Sequence, residues 1–330
     1  MVTMRDVADA AGVSPATVSR VLSGTRAVTP EAETAVTRAV SRLKYRPHYV
    51  GRALRKRATN TVGMVVPRIA NPFFPHLVQA VERALQPHGR ELLLCDSQDD
   101  PVVEARRIGA LLEGKVDALV LIPCHSRASR PALKEAAARI PVVQLDRAVA
   151  RSGTDLVSVD NRAGMRAVVE HLRGSGRSRL AFVGADPEIS TAGERLNGFL
   201  KSVTAHEGRR ILLGDFSAEW GEESVGRIIE HRPDAVMCAN DLIALGVLRG
   251  FRRRGHAIPE DVAVTGFDDI DLVAEWAEPA LTTMRQPVDE LAAGVVHVLL
   301  ARLGGDERPR VSHRLMPELV VRASTGAVAP

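Results

Sequence analysis

Aromatic side chains are scarce in this 330-residue chain, which has seven Phe, two Tyr and two Trp. With so few rings, the adjacent pair Phe73-Phe74 stands out as a deliberate placement. Cysteine is sparser still. Cys95, Cys124 and Cys238 are isolated, odd in number and set near the ends of apolar runs. That pattern argues for buried, reduced thiols and against a disulfide framework or thiolate metal site. The ten histidines show no ligand spacing, so no metal is expected. No apolar run approaches the ~20 residues of a membrane span, and the first residues lack a signal-peptide core; a cytoplasmic protein is expected. Nor is there an activated-nucleophile motif, a distinctively spaced acid and base, or a phosphate-cradling loop. Gly174-Ser175-Gly176 lacks a third glycine, precedes a strand, and reads as the turn after a helix. Neither a cofactor nor an enzyme is expected.

Basic charge is confined to one end. Residues 1–60 carry a net +7 and the remainder −3, against +4 for the whole chain. A basic head on a mildly acidic body points to a polyanion as the partner of the head. Residues 4–24 read as two short helices joined at Gly12, with Val7, Ala8 and Ala11 on the inner face of the first. Ser14 caps the second helix and Pro15 occupies its first turn, while Val18 and Val21 point inward. Pro15, Ala16, Thr17 and Arg20 are left on the outer face, the arrangement a helix-turn-helix offers to the major groove. Ala16 can touch a thymine methyl, and Arg20 can grip guanine O6 and N7. A third helix starts at Thr29-Pro30-Glu31 and runs to about Leu43. The segment His48–Arg57 that follows has little to bury itself against and should order only on DNA or against a second copy.

From Thr61 onward, short apolar runs alternate with amphipathic stretches. Strands are expected at Val62–Val66, Leu92–Cys95, Ala118–Ile122, Val142–Leu145, Leu180–Val183, Ala235–Cys238 and Val262–Gly266. Helices are expected between them, among others at His76–Leu85, Val102–Leu112, Gly164–Leu172 and Leu242–Arg252. This repetition predicts an α/β body of two doubly wound lobes with parallel sheets and a cleft at the carboxyl ends of the strands. Polar and aromatic residues gather at those ends: Asn71-Pro72-Phe73-Phe74, Asp146-Arg147, Glu194-Arg195, Asn240-Asp241, Asp268-Asp269 and Gln286-Pro287. Rings that cover C–H faces, beside groups that bond hydroxyls, suit a polyhydroxylated ligand. Asp146 and Asp268 could be imagined as a glycosidase pair, but each is better explained as a hydroxyl acceptor kept ionised by an arginine.

The head, the run Pro47-x-x-Val50-x-Arg52-x-Leu54 and the body together resemble the LacI/GalR family of bacterial transcription regulators across essentially the full chain. The resemblance implies a three-helix DNA-binding head (1–46), a hinge helix and linker (47–60) and an effector-binding, dimerising body (61–330). One lobe is expected at about 61–158 with 288–317, the other at about 159–287 with 318–330. It further implies that Pro15, Ala16 and Arg20 read bases behind the Ser14 cap. Thr17, Ser19 and Tyr45 would hold phosphates, and Leu54 would wedge into the minor groove at the centre of a pseudo-palindromic operator. The body is similar to periplasmic sugar-binding proteins of the ribose type. That similarity maps effector contacts onto Asn71, Phe73, Phe74, Asp146, Arg147, Arg195, Trp220, Asn240, Asp268 and Gln286, with the ligand stacked between Phe74 and Trp220. The expectation is a homodimeric, sugar-responsive repressor, a pentose being the first ligand to consider. The alternatives are a non-enzymatic sugar-sensing binding protein and a repressor that needs a purine corepressor.

Overall fold

The computed structural model describes residues 2–23, 28–45, 59–206, 208 and 210–326, and the chain divides into two units, Met1–Thr59 and Asn60–Pro330. Most of the expected hinge, including Leu54, lies outside the described residues.

The first unit holds three helices: α1 (Met4–Ala11), α2 (Pro15–Ser23) and α3 (Pro30–Leu43). Thr3 and Asp6 form a reciprocal capping box at the start of α1, which satisfies two amide donors that the helix cannot. Gly12 ends that helix in the left-handed region, at φ 67°, where a side chain would be strained. Ser14 Oγ accepts from Thr17 N at 3.1 Å and so caps α2. Thr29 does the same for α3. Val7, Ala8, Val18, Val36, Ala39 and Tyr45 form the small core.

The second unit is built on two parallel sheets. The first, in the order β11-β5-β4-β3-β1-β2, consists of Thr61–Val66 (β1), Glu91–Asp96 (β2), Ala118–Leu121 (β3), Val142–Leu145 (β4), Asp155–Val159 (β5) and Ser312–Leu315 (β11). The second, in the order β7-β6-β8-β9, consists of Leu180–Ala185 (β6), Ile211–Gly214 (β7), Ala235–Cys238 (β8) and Ala263–Thr265 (β9). A separate antiparallel pair joins Thr283–Arg285 (β10) to Glu318–Val320 (β12). Helices connect the strands: α4 (Phe73–Leu85), α5 (Pro101–Leu112), α6 (Arg130–Ala137), α7 (Asn161–Gly174), α8 (Ser190–Ser202), α9 (Ala218–Ile228), α10 (Asp241–Arg253), α11 (Asp271–Ala274) and α12 (Val288–Leu303).

Both sheets start with the same permutation, their second strand lying outside the first and their third on its other side. Each therefore has a switch point, beside β1 in one and β6 in the other, where connections diverge and leave a crevice at the strand ends. Every expected strand is present, within a residue or two of its predicted bounds. The strands β5, β7 and β10–β12 were not among those expected. They are short, and several are polar or half-exposed.

Candidate functional site

The crevice in the second unit is lined by Asn71, Phe73, Phe74, Asp146, Arg147, Thr191, Arg195, Phe216, Asn240, Asp268 and Gln286. It holds about 240 Å³ of space, open water at its mouth included. Most of these side chains sit at or just after strand ends, and Thr191 and Arg195 come from α8. Asn71 lies in the turn after β1, where its Oδ1 accepts from Phe73 N at 3.1 Å and starts α4. Asp146 and Arg147 follow β4, with Asp146 held at φ 61°. Arg195 projects from the second turn of α8. Asn240 follows β8 and caps α10 through Ile243 N at 3.0 Å. Asp268, at φ 113°, follows β9. Two cleft carboxylates therefore sit in backbone regions that cost energy for residues other than glycine, a mark of functional sites.

Arg195 is buried and almost fully committed. Its Nε donates to Asn161 Oδ1 (2.8 Å), its Nη1 to Ala239 O (2.7 Å), its Nη2 pairs with Asp268 Oδ1 (3.1 Å), and its plane lies 3.7 Å from the Phe267 ring centroid. Gln286 Nε2 donates to the same Asp268 oxygen at 2.8 Å. Arg147 is different. Its guanidinium lies over Phe74 (5.4 Å) and Phe216 (5.7 Å), and Asp99 is 3.6 Å away. Its buried Nε and Nη1 have no hydrogen-bond partner among the described residues, and neither do Asp146 Oδ1 and Gln286 Oε1. Arg147 Nε, Asp146 Oδ1 and Gln286 Oε1, all on residues that line the crevice, thus lack a hydrogen bond, and Arg147 Nη1 has only the long ion pair to Asp99, an arrangement that costs stability unless a ligand bonds them.

Burial pushes Asp146 up to about 6, against the pull of Arg195 and Arg147. It also raises Asp268, with Arg195 and Gln286 opposing. Two carboxylates and two guanidinium groups leave the cleft balanced in charge.

Nine of the ten residues expected to contact the effector line this crevice. The tenth does not. The indole of Trp220 lies against Gly214, and its Nε1 donates to Gly184 O at 2.9 Å, so it serves packing. Phe216, at the carboxyl end of β7, supplies the second ring instead, and Thr191 joins from the first turn of α8. Among neighbours singled out in the sequence, Asp241 turns inward to Thr283 Oγ1 (2.5 Å) and Ile270 N (2.7 Å). Asp269 pairs with Arg285 and Arg322, and Glu194 with Asn161 and Arg314.

In the first unit, α2 exposes Pro15, Ala16 and Arg20, with Ser14 exposed at its start and Thr17 and Ser19 half-buried. Tyr45, expected to hold a phosphate, differs from these residues in its burial. It is 7% exposed and packs into the core of the head, since a large ring after α3 is the best available filler for so small a core.

Comparison with known proteins gives two family matches. Residues 3–48 match the bacterial regulatory proteins of the lacI family, and residues 169–325 match a periplasmic binding protein-like domain. The ribose operon repressor of Halalkalibacterium halodurans is 33% identical over 98% of this chain and 97% of its own length. The lac repressor dimer bound to operator and the anti-inducer ONPF superposes with a TM-score of 0.89 at 26% identity, covering 99% of each chain. A LacI family regulator from Enterococcus faecium with bound ribose gives 0.70 at 27% identity, over 82% of this chain and all of the other.

Proposed function

The chain belongs to the lacI family of bacterial regulatory proteins, and on that premise we propose a cytoplasmic, non-enzymatic, homodimeric repressor released from its operator by a pentose, D-ribose first. Its head reads DNA. Pro15, Ala16 and Arg20 meet base edges in the major groove, while Thr17, Ser19 and the basic side chains of residues 1–60 hold phosphates. The hinge at 47–60 with its wedge residue Leu54, outside the described residues, remains part of the proposal through the family resemblance alone. No described helix is long and apolar enough to cross a membrane.

The observation that carries the ligand reading is the set of unbonded polar atoms on residues that line the crevice together with two rings. A sugar hydroxyl both donates and accepts, so one ring can supply Asp146 Oδ1 and Gln286 Oε1 with donors and Arg147 with acceptors. Phe74 and Phe216 cover the apolar faces of that ring. Ligand binding moves the operator equilibrium only by its difference in affinity between the two forms, so the sugar must favour the released one.

Titration calorimetry tests the assignment. D-Ribose should bind the full chain, and Asp268→Ala should abolish that binding while leaving affinity for operator DNA unchanged. Normal ribose binding by the variant would move the site elsewhere, and a sugar that tightened DNA binding would make the ligand a corepressor.

A further inference from the structure

The cleft has a fastening that lies outside its lining. The loop after β3 and the loop after β6 leave different sheets, yet they are tied together. Ser126 N donates to Glu188 O at 2.9 Å, Arg127 Nη2 to Glu188 Oε1 at 2.8 Å, and Ser126 Oγ to Glu188 Oε2 at 3.5 Å. Both loops are shaped for the contact. His125 Nδ1 accepts from the backbone N–H of Arg127 and of Ala128, each at 3.2 Å, and Asp186 Oδ1 accepts from Glu188 N at 2.9 Å. Beside them, Ala148 N, next to Arg147, donates to Ser190 Oγ at 2.8 Å at the start of α8. These bonds span from the first sheet's side of the crevice to the second's, and the lobes cannot swing apart without breaking them.

We infer that Glu188 is a positioning residue for effector capture: with Ser126 and Arg127 it latches the two lobes, favouring the closed cleft before a ligand arrives and slowing the ligand's escape afterwards. The inference rests on the reading of the cleft as the effector site. Arg127 is exposed and Glu188 half-buried, so the ion pair is a modest, salt-sensitive contribution added to a backbone bond.

The test measures the distance between the lobes directly. Labels at Lys134→Cys on α6 and Lys201→Cys on α8, both exposed positions, are placed in a Cys95→Ser background of the full chain. Without ligand, Arg127→Ala combined with Glu188→Ala should shift the population to longer distances. The exchange of Arg127→Glu with Glu188→Arg should restore the shorter ones, which a merely structural role would not do. With D-ribose as probe, the double alanine variant should release ligand about two- to tenfold faster at low salt, the difference fading in 0.5 M salt. An unchanged ligand-free distance distribution in the double alanine variant would overturn the latch. A wild-type chain that binds no pentose would defeat the effector reading alone, because the distance is read without ligand.

Discussion

At the scale of single residues, the acid with the clearest chemical consequence is Asp146. Its carboxyl is raised from an ordinary 3.8 to about 6 by burial. A group whose folded value lies above its unfolded one contributes stability below the unfolded value and loses it as pH rises through the folded one. Ionised Asp146 therefore costs stability near neutrality, and Asp146→Asn should raise the unfolding free energy by about 1–3 kcal/mol at pH 7.5 while removing sugar binding. Hydroxyls donated by the ligand favour the ionised form, so ribose affinity should be level above pH 7 and fall as pH drops through 6. Calorimetry between pH 5 and 7.5 checks both the fall and the accompanying release of a proton. Affinity that rose on acidification would contradict the assigned bond. In the head, Arg20→Ala should cost about 1–3 kcal/mol at one base pair and relax specificity there; uniform weakening across sequences would make Arg20 a phosphate contact instead.

Most of the cleft could be read from the sequence at this scale, because its residues stand directly after recognisable strands. Phe216 could not, since it follows Ile211–Gly214, a half-exposed run that was not among the expected strands. Trp220 was named through the family similarity, but its partly buried indole N–H needs a carbonyl, and Gly184 offers one beside Gly214, which leaves room for the ring.

At the scale of elements, α9 and α10 approach closely because glycines line their crossing. A Cβ on Gly246 would run into Ala218 O, and one on Gly221 into Ile243 O, both backbone atoms that cannot give way. Gly246→Ala should lower stability by about 1–3 kcal/mol in a urea titration. Gly226, on α9, meets only the flexible end of Arg254 at 3.4 Å, and there alanine should be neutral or add up to ~1 kcal/mol through helix propensity. Equal effects at the two positions would refute the packing argument. A second element-level tie joins α12 to β5, where Arg302 Nε and Nη2 donate to both oxygens of the buried Asp155, at 2.9 and 2.8 Å. Arg302→Ala leaves that carboxylate only Arg310 Nη1 and Val311 N as partners and should cost up to about 3 kcal/mol, the low end for breaking a buried pair. The strands legible in the sequence are continuous apolar runs, the exposed edge strand β2 among them, whereas the buried, central β5 has its run broken by Asp155 and Ser158. Others that were missed are edge or satellite pieces such as Ser312-His313-Arg314-Leu315, whose exposed polar side chains erase the signal.

At the scale of the whole molecule, two facts divide the labour. Net positive charge is restricted to the segment that carries α1–α3, and both sheets of the body repeat one strand permutation that opens toward a shared crevice. The first gives the chain a reason to bind a polyanion, and the second a reason to bind a small polar molecule. Measuring the fluorescence anisotropy of a duplex from upstream of the chain's own gene, with and without D-ribose, tests the connection between them most directly. The account predicts sequence-preferring binding in moderate salt, weakened at least tenfold by the sugar in the wild type and unaffected by it in Asp268→Ala. An absence of preference for any duplex, or a grip on DNA indifferent to every pentose, hexose and purine tried, would contradict it.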